Sequence, residues 1–433
     1  MNQGQVLEEK EIKKGSIKNI FYAASGTALE WYNFSIYGYI AATISVLFFP
    51  HGDKMVALIS SFGVFAASFL IRPLGGAFFG NLGDKIGRKK TLIVSLIVMG
   101  IATLMIGVLP TYDKVGYLAP LLLTIGMLLE GFSMGGQFSG VQVMLVEHAG
   151  VKSRGFVAAF GTLVSGCGVL ISTLVITIIT ETLSKNQLLA WGWRIPFFIG
   201  VVMTVVIIFF QLKMEESPEF EKAKINNTLS KTPVGDLLKY SKLKVFRGMC
   251  IVGYSSLAYY MMAVFLPTFL TTFMGFPKSQ VMMYTTIAVA IYAFTAPIWG
   301  YLSDSIGRKK VALTAVVIEA IIIYPMFYLF THVHSISVAA AMFVIMIPVS
   351  AYAAIACSIV NEQFTTKERY SGAAIGINVG VAIGGLTPLI STELINATGN
   401  KMVPGLMLLV GAILLIIVIS FMKETAGTEL KEG

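Results

Sequence analysis

The chain contains 433 residues, of which 56% are hydrophobic and only 13% are charged. Soluble domains carry about 25% charged residues, so this composition excludes a soluble globule. Apolar runs recur along the whole chain, which also excludes a soluble protein with a single membrane anchor. The three cysteines, Cys167, Cys250 and Cys357, all lie in apolar runs. Their spacing predicts no disulfide framework, no metal site and no cofactor.

The apolar runs predict an all-α membrane protein with twelve transmembrane helices. The first run lacks a small-residue cleavage site, so we interpret it as a retained helix and not as a signal peptide. The predicted spans are 19–49, 55–82, 90–110, 116–146, 155–183, 193–213, 246–274, 279–302, 310–331, 335–361, 370–398 and 402–422. The predicted units are a tail at 1–18, six-helix bundles at 19–212 and 246–422 with a linker at 213–245 between them, and a tail at 423–433.

Lys and Arg residues set the predicted orientation. The formal net charge is +9, and most of the basic residues lie in the termini, the linker and alternate loops. Cytoplasmic loops are enriched in Lys and Arg, so both termini are predicted to be cytoplasmic. The positive charge then reflects membrane topology, and nucleic acid is not expected as a partner.

The two predicted halves repeat each other. "GNLGDKIGRKK" at 80–90 returns as "GYLSDSIGRKK" at 300–310, each after the second span of its half. The spacing E-x4-K-x-R occurs at Glu147 and again at Glu362, each between the fourth and fifth spans of its half. A duplicated six-span unit is typical of an alternating-access transporter with its site between the halves.

These repeated motifs resemble those of a known family. The repeated G-x-L-x-D-x-x-G-R-K-K motif on a six-plus-six plan is similar to the major facilitator superfamily. The stretches "ALEWYNFSIYG", "EGFSMGGQFSG", "WGWRIPFFIG", "ESPEF" and "RYSGAAIGINVGVAIGGLTPLI" resemble its metabolite:proton symporters, and the last of them looks most like the proline/betaine transporters. The resemblance implies the major facilitator fold and a multi-pass protein of the bacterial inner membrane. Its implied partners are a small-molecule solute, protons and membrane lipids, and a monomer is expected.

The loop motifs are candidates for a cytoplasmic gate. An acid at the membrane surface can dock on a helix N-terminus, and an Arg can pair with a carboxylate of a neighbouring helix. The resemblance implies that such clusters latch the cytoplasmic side. A first latch is predicted around Asp84 and Arg88, with Glu147 and Glu362 as candidate partners; a second is predicted from Asp304, Arg308, Arg154 and Arg369. The alternative is that these charges are only topology signals in solvated loops.

Four polar residues fall at similar depth inside predicted spans. They are Glu30, Arg72, Glu130 and Gln137. A lone ionised side chain in that position is unfavourable by several kcal/mol, so we predict a cluster around Arg72 that holds a substrate carboxylate or carries a proton. The alternative is a salt bridge that only ties helices together. Glu319 lies near the middle of the ninth predicted span with no basic residue at its depth.

The sequence departs from the family pattern at two acids. The family usually reads E-W-[YF]-D-F and G-G-E, and here Asn33 and Gln137 stand at the acidic positions. Glu130 replaces a usual Gln on the same helical face as Gln137. Either the proton site lies at Glu130 and Glu30, or proton coupling is weakened.

The substrate prediction depends on the count of buried cations. Arg72 is the only Lys or Arg well inside a predicted span, which suits a single carboxylate better than two. Nearby aromatic residues can hold an ammonium group by cation–π attraction, so Trp31, Tyr37 and Tyr260 are candidate binding residues, together with Asn33, Gln137 and Asn378. We predict proton symport of a small zwitterion or monocarboxylate.

Three rival functions remain to be weighed. The same fold could carry a dicarboxylate or another organic acid. An intramembrane enzyme would need a catalytic constellation inside the spans, and no histidine lies mid-span. A transporter-derived receptor would need a large soluble output domain, which the sequence lacks.

Overall fold

The structure is a computed structural model that describes residues 3–50, 54–226, 237, 241–332 and 336–430. Within these ranges every regular element is a helix, and eleven helices are long and apolar enough to cross a membrane. The helix Gln3–Phe48 supplies the first span. The predicted twelve-helix membrane fold is confirmed.

The spans are numbered in chain order. The first six are Gln3–Phe48, Lys54–Leu70 with Arg72–Ile86, Arg88–Val108, Leu118–His148, Arg154–Thr182 and Ile195–Leu212. The last six are Lys242–Phe273, Lys278–Ile306, Arg308–His332, Ile336–Asn361, Arg369–Gly385 with Thr387–Thr398, and Val403–Ser420. Short helices between spans are Tyr112–Val115, Lys185–Ala190 and Pro218–Ile225.

Three spans are interrupted where the prediction had continuous helices. The second span breaks at Ile71 and the eleventh at Leu386, each just before a proline, Pro73 or Pro388. Proline has no backbone N–H to continue the hydrogen-bond ladder. The seventh span passes through two π-helical segments, Tyr260–Phe265 and Phe269–Phe273. Hydropathy detects an apolar run but is insensitive to such local changes in winding.

The first helix is longer than predicted. It begins at Gln3, whereas the apolar pattern begins near residue 19. The polar residues before residue 19 extend the same helix. Hydropathy does not detect them, because only the part of a helix within the bilayer has to be apolar.

The two halves meet through small residues. The second span packs on the eleventh, and the fifth packs on the eighth. A Cβ added to Gly300 would lie 2.4 Å from the carbonyl oxygen of Gly155, and one added to Gly80 would lie 2.9 Å from the Cα of Ser371. Small residues let membrane helices approach closely, so these glycines set the distance between the halves.

Glycines also set the packing inside the first half. A Cβ on Gly135 of the fourth span would lie 2.4 Å from the carbonyl oxygen of Arg72 and 2.5 Å from the amide nitrogen of Gly76. Both neighbours are backbone atoms of the second span. The fourth span therefore rests directly on the segment that carries Arg72.

We expect Gly135→Ala to lower stability by about 1–3 kcal/mol, the usual cost of forcing extra atoms into a packed interior. The matched control is Gly63→Ala on the second span, where an added Cβ meets nothing within 4 Å. Thermal unfolding of the purified proteins in detergent measures both. Equal melting temperatures for the two variants would contradict the close packing described here.

Candidate functional site

A cavity of about 50 Å³ lies between the two halves. That volume holds roughly three to five water molecules. Its lining comes from both halves, namely Trp31, Phe138, Thr162 and Ser165 from the first, and Val252, Ser255, Ser256, Tyr259, Tyr260, Tyr292, Ala353, Ala356, Cys357 and Val381 from the second. A cavity at this place agrees with the predicted site between duplicated halves.

Aromatic rings dominate one part of the cavity wall. The Trp31 ring lies 5.2 Å from the Tyr259 ring in an edge-on arrangement and stacks on Tyr260 at 6.3 Å. Tyr292 packs 5.0 Å from Tyr259. The Tyr260 hydroxyl and the Trp31 indole nitrogen are buried and have no hydrogen-bond partner among the described residues. The wall therefore offers aromatic faces for a cation and two polar groups for a ligand.

The Arg72 side chain points into the interface between the halves and is only 2% exposed. Its Nη2 lies 2.8 Å from Oε1 of Glu30 on the first span. Its Nε donates to Oδ1 of Asn378 on the eleventh span at 3.3 Å. Arg72 thus joins an acid of its own half to an amide of the other half.

Asn378 is itself held in place by the first half. Its Nδ2 donates to the carbonyl oxygens of Gly135 at 2.7 Å and Ala374 at 2.8 Å. Gly76 provides the room, because a Cβ there would lie 2.7 Å from that same Nδ2. The amide oxygen of Asn378 is therefore aimed at Arg72 by contacts on both sides.

Glu130 lies close to the Arg72 cluster without joining it. Its side chain is buried, and Oε1 has no hydrogen-bond partner among the described residues. It interacts electrostatically with Glu30 and Tyr37. Oε2 of Glu30 also lacks a partner in the described chain. Two buried carboxyl groups therefore lie near each other, and of the two only Glu30 is paired with the Arg72 guanidinium.

Three predicted binding residues lie away from the cavity. Asn33 donates to Oγ1 of Thr103 on the third span. Tyr37 donates to the carbonyl oxygen of Ser61. Gln137 accepts from Ser95 at 2.7 Å. Helical geometry turns Asn33 about 200° away from Trp31, so the two side chains leave opposite sides of the first span.

The predicted set is therefore divided in the structure. Trp31 and Tyr260 line the cavity, while Arg72, Glu30 and Asn378 form an adjoining cluster. Sequence reasoning missed Tyr292. It lies on the eighth span, and the sequence of that span does not indicate which helix face is buried. The glycines that pack the fifth and eighth spans together could have indicated the buried face of the eighth span.

The linker face is the surface formed by the span ends Ile86–Arg88, His148–Arg154, Ile306–Arg308 and Asn361–Arg369. Here Asp84 accepts from the backbone nitrogen and the hydroxyl of Ser371, at 2.9 and 2.8 Å. These donors belong to the first turn of the eleventh span, where a helix attracts negative charge. Asp84 therefore joins the two halves.

A second acid at the linker face takes two arginines from different halves. Glu147 lies 3.2 Å from Nε of Arg88 and 2.7 Å from Nη1 of Arg369. Arg369 was predicted in the second latch but lies in the first, because the eleventh span begins beside the second and fourth spans. Glu362, a candidate partner of the first latch, lies instead beside Arg308.

The matching cluster in the other half has the same design. Asp304 accepts from the backbone nitrogens of Gly155 and Phe156 at 2.9 and 2.8 Å, at the start of the fifth span. Arg308 lies 2.8 Å from Asp304 and 3.2 Å from Glu362. The side chain of Arg154, predicted in this latch, donates to the carbonyl oxygen of Thr428.

A further repeat is evident only in the structure. Glu216, after the sixth span, accepts from the backbone nitrogens of Arg88 at 2.9 Å and Lys89 at 3.2 Å. Glu424, after the twelfth span, does the same for Arg308 at 2.9 Å and Lys309 at 3.1 Å.

The residues after these acids continue the match. Ser217 donates to Glu147, and Thr425 donates to Glu362. Burial raises the pKa of Glu424, but backbone donors outweigh it and hold the pKa below the usual 4.5. Burial raises the pKa of Glu362, although Arg308 and Thr425 favour its carboxylate. The sequence signals, "ES" at 216–217 and "ET" at 424–425, were too short to identify the pairing.

Family comparisons agree with this architecture. Residues 19–234 match the family described as "Sugar (and other) transporter", and residues 249–432 match "Major Facilitator Superfamily". The chain is 31% identical over 435 residues to the proline/betaine transporter of Escherichia coli K12, covering 97% of this chain and 86% of that protein. It is 32% identical over 425 residues to the glycine betaine/proline/ectoine/pipecolic acid transporter OusA of Dickeya dadantii, covering 96% and 84%.

Solved structures with the same fold include the proton:xylose symporter XylE bound to 6-bromo-6-deoxy-D-glucose. The TM-score is 0.85 at 15% identity, with 97% of this chain and 98% of that chain covered. An inward-open conformation of XylE from E. coli gives 0.70 at 16% identity, with 96% and 98% covered. The chain therefore belongs to the major facilitator superfamily, among the relatives of the proline/betaine transporters, and it is a multi-pass secondary transporter, not an enzyme.

Proposed function

We propose that this protein imports a small zwitterion, of the proline or betaine kind, by proton symport and alternating access. The observation that carries the proposal is an aromatic cavity between the halves near the buried Arg72–Glu30 pair. The relatives' names, proline/betaine and glycine betaine/proline/ectoine/pipecolic acid transporter, support the same substrate class.

The chemistry of a zwitterion fits the two parts of the site. The faces of Trp31, Tyr259 and Tyr260 attract an ammonium group, and cation–π attraction contributes about 0.5–2 kcal/mol. Arg72 offers one guanidinium to one carboxylate. A dicarboxylate would leave its second charge without a matching cation, so the site favours the zwitterion over the organic-acid alternative.

Substrate binding at Arg72 also provides a coupling step. A substrate carboxylate that pairs with Arg72 competes with Glu30 for the same guanidinium. Glu30 and Glu130 then lie near each other with less positive charge to balance them, and an unbalanced buried carboxylate takes up a proton. Solute binding and proton binding are thereby linked.

The linker face is the cytoplasmic side in this proposal, by the distribution of Lys and Arg. In the described conformation Asp84, Glu147 and Asp304 hold the halves together on that side. Inward opening has to break these contacts. The latches therefore favour the conformations that are closed to the cytoplasm.

The decisive experiment is uptake by proteoliposomes of a panel that includes proline, glycine betaine and dicarboxylates, with and without an imposed pH difference. We expect the zwitterions to be taken up, and Arg72→Ala to abolish that uptake with the protein still inserted, because one carboxylate loses its cation. Arg247→Ala, near the linker end of the seventh span, is the matched control. Competition by dicarboxylates alone, or normal uptake by Arg72→Ala, would contradict the proposal.

Glu130→Gln tests proton coupling. The amide keeps the shape of the side chain but cannot release a proton, so we expect an inward proton gradient to stimulate uptake much less than in the unaltered protein, with solute exchange retained. Glu181→Gln, exposed at the far end of the fifth span, serves as the control. A response to the gradient that is unchanged in Glu130→Gln would exclude Glu130 from coupling.

Asp84→Asn tests the latch. Its neutral amide loses the attraction to the first turn of the eleventh span, which is worth about 0.3–2 kcal/mol, so inward-open conformations become more populated. Spin labels at Lys85 and Ser305, on a background with the three cysteines replaced by Ser, measure the separation of the halves. Glu219→Gln is the control, because its ion pair with Lys222 is at the surface. Identical distance distributions in all three proteins would exclude a gating role for Asp84.

A further inference from the structure

The second half contains a buried acid that the coupling step above does not use. Glu319 lies in the middle of the ninth span and is 1% exposed. Its Oε2 accepts a hydrogen bond of 2.5 Å from the hydroxyl of Tyr254 on the seventh span. Its Oε1 has no hydrogen-bond partner among the described residues. One oxygen is therefore satisfied and the other is left without a protein donor.

Among the residues that the structure describes, none that packs around Glu319 carries a positive charge. The tenth and twelfth spans pack against the ninth. The ionisable residues of the tenth are Tyr352 and Cys357, and the twelfth, Val403–Ser420, has none. From the seventh span Tyr254 faces the acid, and Cys250 lies near Tyr352. In the eighth span the ionisable residues between its ends are Tyr284, Tyr292 and the exposed Tyr301, and Asp304 lies at the linker face.

A carboxylate in such a place is unfavourable by several kcal/mol unless it is neutralised. Glu30 has Arg72 for this purpose, whereas the one partner of Glu319 in the described part of the chain is a phenol. A proton is the charge that remains available to it. We therefore expect Glu319 to be protonated in this conformation and its charge state to depend on the Tyr254 hydrogen bond.

The geometry of the seventh span connects Glu319 to the cavity. Ser255 and Ser256 follow Tyr254 directly in the chain and line the cavity, as does Tyr259. The first π-helical segment starts at the next residue, Tyr260. Such segments inside helices are frequent at functional sites. A solute that contacts Tyr259 and Tyr260 therefore acts on the helix that carries the donor to Glu319.

We propose that Glu319 is a second proton-binding site, in the second half, which takes up and releases a proton as the seventh span responds to the solute. This rests on the proposed proton symport. The first site, Glu130 with Glu30, lies in the first half. Each half then carries one acidic site whose proton occupancy changes with solute binding.

The test measures protons moved per solute in proteoliposomes with an entrapped pH indicator. We expect Glu319→Gln to lower that ratio about twofold, because one of two proton-carrying acids is removed, and to retain solute exchange, which needs no net proton movement. Glu393→Gln, exposed near the end of the eleventh span, is the matched control. An unchanged ratio in Glu319→Gln overturns the inference, as does loss of exchange together with a lowered melting temperature.

A second variant keeps the acid and removes its donor. Tyr254→Phe is expected to shift the midpoint of the pH profile of uptake upward, because a carboxylate that loses a donor is formed less readily. An unshifted profile overturns the inference even if Glu319→Gln fails to fold. Absence of proton movement in the unaltered protein would instead refute the proposed symport. Accumulation driven by a sodium gradient that Glu319→Gln abolishes would assign the site to a metal cation and overturn the proton assignment.

Discussion

A guanidinium buried between two membrane bundles has to be neutralised, and much of this structure follows from that requirement. Arg72 is 2% exposed, and its two described polar partners, Glu30 and Asn378, come from different halves. An isolated charge there would be unfavourable by several kcal/mol. Arg72 is therefore fully stabilised only when the second half is placed correctly against the first.

The backbone around Arg72 also helps to hold its side chain beside Glu30 and Asn378. The second span breaks at Ile71, and Gly135 lets the fourth span rest on the carbonyl oxygen of Arg72. Gly76 leaves room for the Asn378 amide. The contact of Gly135 with Arg72 is between backbones, so it fixes this part of the site more rigidly than long side chains would. A charged cluster beside a small aromatic cavity is the arrangement on which the proposed zwitterion transport depends.

The linker face adds helix ends to its buried arginines as partners for buried acids. Asp84 and Asp304 each bind the first turn of a span in the opposite half, and Glu216 and Glu424 bind the first turns of the third and ninth spans. Such contacts are individually modest, with helix-end interactions worth about 0.3–2 kcal/mol. A set of modest contacts can hold the halves together and still be broken during a transport cycle, which one large apolar interface would hinder.

The sequence by itself determined the membrane class, the duplication and the identity of the buried charges. Apolar runs of span length, the repeat of "DKIGRKK" as "DSIGRKK" and the single mid-span arginine are linear features, so they needed no three-dimensional information. The closeness of Glu30 and Arg72, which lie 2.8 Å apart, could also be expected, because the constant rise along a helix places both at a similar height in their spans.

Only the tertiary structure decided which side chains meet. Trp31 and Asn33 are two residues apart, yet one lines the cavity and the other bonds to Thr103, since the rotation of the first span is set by its neighbours. Arg369 pairs with Glu147 across the halves, and Tyr254 reaches Glu319 across 65 residues of sequence. Helix rotation and partner choice depend on packing between spans, and the apolar residues that face lipid and those that face other helices are too alike in sequence to reveal it.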